Sequence, residues 1–276
     1  MNHTAFRRQV WAWYRQRGRH QLPWRLTRDP YCILVSEVML QQTQVVRVLP
    51  KYAEFLKTFP NFKTLAHAPL PKLLRIWQGL GYNRRALNLR KLAQVVVGER
   101  GGKIPKSVVE LEQLPGIGPY TARAVAALAF NQPVALLETN IRKVILHTFF
   151  PKRRGVPDSE VTLVAEQLLD KANPREWNLA VMDYGVAHFG SRTKNPNLRS
   201  AHYTKQSNFK DSRRMLRGRV VAWLSECGGG SLGTLTQYLE HQGVSAGLFQ
   251  QLPNVLASLE QEGFVVRKRD TYRLAS

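Results

Sequence analysis

"LEQLPGIGPYTARAVAALAF", residues 111 to 130, sets Pro115 and the glycines 116 and 118 inside text that otherwise reads as helix. A helix to about Gln113, a turn over "LPGIG" and a second helix from Pro119 or Tyr120 make a helix-hairpin-helix pattern. Its glycines let the backbone turn tightly and approach a partner with no Cβ in the way. The second helix starts with unpaired N–H groups and the positive end of its dipole. Together these features grip a phosphate and read no base. An ordinary αα-turn carries the same residues, so the hairpin alone does not decide function.

The chain around it has 276 residues, 43% hydrophobic and 9% aromatic, which is the length of one large domain or two smaller ones with a real core. No apolar run reaches the eighteen or so residues of a membrane span, and "MNHTAFRRQVWAWYRQRGRH" lacks the core and cleavage site of a signal peptide. The expectation is a cytoplasmic, nucleoid-associated monomer. Cys32 and Cys227 are too few for a disulfide framework, and the seven histidines have no ligand spacing, so no metal site is expected. Forty-one Lys and Arg against nineteen Asp and Glu give a net charge of +22, spread along the chain. Such an excess implies a polyanion, and nucleic acid is favoured over a membrane surface because no amphipathic membrane helix stands out.

Apolar spacing predicts helices over 4–17, 29–42, 45–58, 70–78, 83–98, 107–113, 119–130, 140–148, 158–171 and 174–188, an all-α body. In "DPYCILVSEVMLQQ" Asp29 serves as cap and Pro30 sits in the first turn, where a missing N–H costs nothing. Residues 190–214 turn polar, basic and aperiodic and read as a linker or long DNA-facing loop. Beyond it lie "MLRGRVVAWLSEC", "SLGTLTQYLEHQG", "AGLFQQLPNVLASLEQEG" and the alternating "FVVRKRDTYRLAS", with a turn at Arg269 and Asp270. Three helices and a basic hairpin are the pattern of a winged helix; a small α+β packing domain is the other reading. The expected division is residues 1–205 and 206–276, the latter adding phosphate contacts through Arg213, Arg214, Arg217, Arg219, Arg267, Lys268 and Arg269.

Five motifs then occur in register: "LPWR" at 22–25, "SEVMLQQTQV" at 36–45, "GLGYNRRALNL" at 79–89, "LPGIGPYTARAV" at 114–125 and "ETNIRKV" at 138–144. Over about residues 5 to 190 the chain resembles the helix-hairpin-helix base-excision DNA glycosylases, and "SEVMLQQTQV" resembles the MutY-type adenine DNA glycosylases among them. The resemblance implies hydrolysis of the bond between a flipped-out mispaired base and deoxyribose in double-stranded DNA, with adenine opposite 8-oxoguanine or guanine first. Hypoxanthine, uracil or thymine is the alternative within the class, and a non-enzymatic winged-helix DNA-binding protein the alternative outside it.

That chemistry asks for two carboxyl groups of different proton affinity. Glu37, mid-helix among "LVS" and "VML", is where burial would keep a carboxyl protonated, and by resemblance it donates to N7 of adenine. Glu138 precedes a helix that Thr139 or Asn140 would cap, and by resemblance stabilises the sugar cation. Asn140 belongs to the same catalytic set. Tyr120 stands where endonuclease III-type relatives carry a lysine, so no Schiff base is expected and the enzyme is monofunctional. Leu22, Trp24 and Arg25 match the base pocket. Gln42 and Tyr82 are implied to fill or wedge the duplex, with Thr43 and Leu80 around the opposite base. Arg84, Arg85 and Arg90 are assigned to phosphates, and Leu114, Gly116, Gly118 and Thr121 to the DNA-binding hairpin, where the resemblance also allows a monovalent cation.

The chain departs from the family in three ways. The stretch after "MDYGVAHFG" has no cysteines, so no 4Fe–4S cluster is expected. The winged-helix pattern stands where MutY enzymes have a Nudix-like domain that recognises 8-oxoguanine. The family's "N-[QE]-A" is Asn178-Leu179-Ala180, and its aspartate at 138 is Glu.

Overall fold

The computed structural model describes residues 2–190, 195–204 and 208–275. They form fifteen α-helices and one three-stranded sheet, grouped into two compact units, 1–37 with 104–205 and 38–103 with 206–276. The chain passes from the first unit to the second inside α2 (Pro30–Leu40) and back after α6 (Arg84–Glu99). Residues 206–276 are therefore not a separate body: they share a unit with 38–103. No described helix is long and apolar enough to cross a membrane.

The first unit holds α1 (His3–Arg17), a 3₁₀ turn (Pro23–Arg25), the start of α2, and α7 (Val108–Glu112), α8 (Pro119–Leu128), α9 (Thr139–Phe149), α10 (Asp158–Leu168) and α11 (Pro174–His188). Helix α11 is almost wholly buried and packs against α1, α8 and α9. Its approach to α9 depends on Gly185, where a Cβ would lie 2.5 Å from the Asn140 carbonyl oxygen. Asn178, also on α11, donates to the carbonyls of Val134 (2.9 Å) and Pro174 (2.8 Å) and accepts from Leu136 N (2.9 Å), fixing the segment that leads into α9.

The linker expected over 190–214 lies partly outside the described residues, and the part that is described is folded. Pro196–Arg199 form a 3₁₀ turn against α9, Val156 bridges Ser200, and the buried Asn197 donates to Thr139 O at 3.2 Å. Sequence missed this because a strap fixed by single tertiary hydrogen bonds has no periodicity.

In the second unit are α3 (Val45–Thr58), α4 (Phe62–Ala66), α5 (Leu70–Trp77) and α6. The five-residue α4 is too short to show a period, and the Asn61–Thr64 capping box that starts it was its only local signal. Against α5 lies α12 (Arg213–Cys227), followed by β1 (Gly230–Ser231), α13 (Leu232–His241), α14 (Ala246–Phe249), α15 (Leu252–Gln261), β2 (Val265–Lys268) and β3 (Thr271–Leu274). The last long helix read from sequence is thus two, broken at Gln250 and Gln251 ahead of Pro253, which cannot donate to a continuing helix. The sheet runs β1-β3-β2, antiparallel throughout, with Val265 opposite Leu274 and Lys268 opposite Thr271. Gly229 permits β3 to close on the end of α12, since a Cβ there would stand 2.3 Å from Tyr272 O.

Gly185→Ala should cost roughly 1–3 kcal/mol, because its methyl meets backbone that cannot yield as a side chain would. Urea unfolding of wild type and variant checks it; an unchanged midpoint would mean that α9 shifts without penalty.

Candidate active site

Helix α2 is apolar on all sides, the signature of a helix that faces no solvent. It starts where Asp29 Oδ1 accepts from Tyr31 N at 2.8 Å, so the aspartate does cap it. Glu37, 7% exposed, is the one carboxyl this helix carries. Burial pushes its carboxyl up from 4.5 to about 7, helped by the charge of Glu138 and opposed by a hydrogen bond from Tyr120 and the charge of Arg25. Tyr120 Oη donates to Glu37 Oε2 at 3.3 Å. Burial and the two nearby carboxylates hold the Tyr120 hydroxyl well above its ordinary range, so it stays a proton donor.

Glu138 is itself the N-cap of α9, a role the sequence had given to Thr139 or Asn140. Its Oε1 accepts from the amides of Asn140 and Ile141, both at 2.7 Å, and its Oε2 from Asn140 Nδ2 at 3.1 Å. Aspartate is the usual short cap; here the longer side chain makes the same reach and a third bond. Burial raises its proton affinity, against the pull of those amides, the Lys143 charge and the Asn140 side chain. Glu37, Tyr120, Glu138 and Asn140 are thus brought together.

Leu22 and the 3₁₀ turn that follows it supply Trp24, buried, and Arg25, whose side chain is 5% exposed. Arg25 is not loose: Nη1 and Nη2 fork onto Asp183 at 2.6 and 2.8 Å, leaving its buried Nε with no partner. Burial alone would raise the Asp183 carboxyl, but the bonds and charge of Arg25, backed by Arg19, hold it below its ordinary value. Asp183 and Arg175 are functional neighbours that sequence reasoning missed. Arg175, 3% exposed, donates to the carbonyls of Arg25 (2.9 Å), Thr27 (2.8 Å) and Leu128, tying the 3₁₀ turn to the end of α8. A charged residue inside an otherwise buried helix was the only available signal for either.

The hairpin between α7 and α8 turns through Gly116, φ +76°, a conformation that favours glycine. Gly118 caps α8 by backbone alone, and a Cβ there would meet nothing within 4 Å. The side chains of Leu114 and Thr121 are buried, so a DNA contact at those positions would be made by the main chain.

In the second unit, Arg85 corrects its reading as a phosphate contact. Its Nη1 donates to the carbonyls of Val38 (2.6 Å), Met39 (3.0 Å) and Gln41 (2.6 Å), and its Nη2 to those of Leu80 and Gly81 (3.0 Å each) and to Thr43 Oγ1 (3.2 Å). The guanidinium is spent inside the protein, and burial lowers its proton affinity to about 10. Thr43 also donates to Leu80 O at 3.2 Å, and the Leu80 side chain is buried, so neither offers a free side chain to a base. Gln42 is exposed, with φ +52°, and Tyr82 half-buried, with φ +48°. Arg84 is exposed and lies 3.9 Å from Glu262.

The arginines of α12 are also engaged within the protein, although Arg213 stays exposed. Arg217 forks onto Glu262 (2.9 and 2.8 Å), Arg219 donates to Gln242 at 2.5 Å, Arg214 to Tyr82 Oη at 2.7 Å and Arg213 to Asn254 O at 3.4 Å. Arg267, Lys268 and Arg269 remain exposed on the β2–β3 hairpin.

The chain belongs to the HhH-GPD superfamily of base excision DNA repair proteins, whose family model matches residues 35–172. It is 41% identical over 149 residues to an adenine DNA glycosylase of Buchnera aphidicola, a match covering 54% of this chain and 42% of that protein. It is 36% identical over 190 residues to a thymine/uracil-DNA glycosylase of Pyrobaculum aerophilum, covering 67% of this chain and 83% of the relative. A solved thermostable thymine-DNA glycosylase superposes with a TM-score of 0.62 at 28% identity, over 70% of this chain and 90% of that one. A 4Fe–4S cluster takes four cysteine thiolates. This chain has two cysteines, Cys32 in α2 and the exposed Cys227 at the end of α12, so its residues do not fit that group.

The raised affinity of Glu37 has a stability consequence. In the unfolded chain the carboxyl ionises near 4.5, in the folded one near 7, so between those values the folded state binds more protons and stability falls as pH rises. Glu37→Gln lacks this loss. Its stability relative to wild type should therefore increase from pH 5 to pH 8 in urea titrations; parallel curves for the two proteins would refute the burial argument.

Proposed function

We propose that the chain is a monofunctional DNA glycosylase that removes adenine, flipped out of a duplex, from opposite 8-oxoguanine or guanine. The observation that carries it is Glu37: a buried carboxyl that keeps its proton in about half of the molecules near neutral pH, steadied by the Tyr120 hydroxyl, with a hydrogen-bonded second carboxyl group nearby. Adenine is a poor leaving group until N7 is protonated, and Glu37 is suited to give that proton. As the bond to C1′ breaks, Glu138, its carboxyl held by the amides of Asn140 and Ile141, stabilises the developing cation. Water adds its hydroxyl to C1′, and its remaining proton returns to Glu37, the carboxylate that has just given its own away. A pyrimidine has no N7 to accept from Glu37, which places adenine ahead of thymine and uracil, the bases in the name of the Pyrobaculum relative.

With Tyr120 at the hairpin there is no amine for a Schiff base, so the product is an abasic site in an intact strand. Tyr82 would wedge the duplex and Gln42 fill the gap left by the base, each presented by a non-glycine residue at positive φ, a local cost that functional loops tolerate. With Thr43 and Leu80 occupied internally, Gln42 carries the contact with the opposite base.

Residues 206–276 resemble the order of a winged helix: helix, short strand, three helical segments, then a hairpin. We assign their DNA contact to Arg267, Lys268 and Arg269 on the hairpin and not to α12. Such contacts add affinity with little selectivity.

Two experiments test this. Duplexes carrying adenine opposite 8-oxoguanine, guanine, cytosine or thymine, and uracil or thymine opposite guanine, are incubated with protein and then broken with hot alkali. Adenine release is expected, falling as pH rises through about 7 as Glu37 loses its proton, and Glu37→Gln should lose roughly 10²–10⁴-fold while still binding. Release of pyrimidines alone, breaks without alkali, or a borohydride-trapped adduct would overturn the reading. Separately, replacing Arg267, Lys268 and Arg269 by alanine should weaken all duplexes by similar factors and flatten log K against log salt by about 0.9 per lost contact. A change in opposite-base preference would instead make the hairpin a base reader.

A further inference from the structure

Tyr82 is held at both ends. Its backbone follows two carbonyls, of Leu80 and Gly81, that each accept from Arg85 at 3.0 Å, and its own carbonyl accepts from Arg85 N at 2.9 Å. Its hydroxyl accepts from Arg214 Nη1 at 2.7 Å. The guanidinium carbons of Arg214 and Arg85 stand 5.5 and 5.6 Å from the centre of its ring, inside the range of cation–π attraction. Arg214 also lies 5.4 Å from the Phe209 ring, and its helix, α12, packs on α5, which ends shortly before Tyr82. All of these residues belong to the second unit.

We infer that Arg214 is a positioning residue for Tyr82, so that the C-terminal segment takes part in base extrusion by setting the orientation of the wedge. This rests on Tyr82 being the wedge, as proposed above. A tyrosine on an exposed loop samples several rotamers, and only one enters a base stack. A ring tied at its hydroxyl and flanked by guanidinium groups has already surrendered that freedom, which otherwise would be lost during DNA opening. The same engagement removes Arg214 from the set of free phosphate contacts.

The test uses the full chain and a duplex with 2-aminopurine beside the target base, whose fluorescence rises as the stack opens. Arg214→Ala and Tyr82→Phe should each slow that rise by about 2- to 10-fold, the range expected from one side chain that must be ordered during binding. The double variant should be no slower than the slower single, and the salt slope of binding should not change. Losses that multiply in the double variant, or an Arg214→Ala effect confined to a slope shallower by about 0.9, would make Arg214 a phosphate contact and overturn the inference. Tyr82→Phe removes a single oxygen, so if Arg214→Ala lowers the melting temperature, an unchanged opening rate in Tyr82→Phe overturns it alone. Stack opening is read without excision. A protein that opens the duplex in this Arg214-dependent way yet releases no adenine would sink the adenine reading and leave this inference standing.

Discussion

Because α2 is buried along most of its length, the carbonyls that end it have little access to water, and an orphaned carbonyl in such a place costs about as much as a lost hydrogen bond. Arg85 answers that demand with one nitrogen on Val38, Met39 and Gln41. Its second nitrogen, fixed by the planar fork, then gathers Leu80 and Gly81. One guanidinium thereby closes the helix that carries Glu37 and sets the backbone before Gln42 and before Tyr82. Arg175 does the corresponding work in the first unit, joining the end of α8 to the turn that carries Trp24 and Arg25. In both units a strongly basic chain uses arginine as internal mortar.

Three carboxylates in the first unit show how surroundings assign proton state. Glu37 has burial and a single hydroxyl donor, which leaves it about half protonated near pH 7. Asp183 is equally buried but receives two guanidinium groups and an amide, and stays ionised. Glu138 sits at a helix N-terminus on two amides. The fork onto Asp183 matters to Glu37 as well: a positive charge committed to its own carboxylate can line the site and pull only weakly on the proton next door. Removing Asp183 would turn Arg25 from a guanidinium committed to a carboxylate into an unpaired cation beside the acid.

Much of this was legible in the sequence. Ten of the eleven helices of the body, all but α4, follow from apolar spacing and caps, and the hairpin from Gly116, since a positive φ and an unobstructed approach each want glycine. Glu37 was legible because a carboxyl in an unbroken apolar run must be buried. What stayed hidden were long-range polar bonds: Arg85, Arg217 and Arg219 look like any basic residue in a chain of +22, and only their partners, up to 47 positions away for Arg85, distinguish mortar from phosphate contact. The strap at 195–201 and the grouping of 206–276 with 38–103 were hidden for the same reason.

That grouping has a consequence for how the chain is made. The units alternate along the sequence, and α5 acquires its partner α12 only after more than a hundred further residues have been added. At the usual pace of synthesis that is a wait of about 7–27 s, during which the apolar side of α5, with Leu70, Leu73, Leu74 and Ile76, lacks its final cover. Neither unit can close before its second stretch emerges, 104–205 for the first and 206–276 for the second. A chain that stopped before α12 would leave α5 without the helix that covers it.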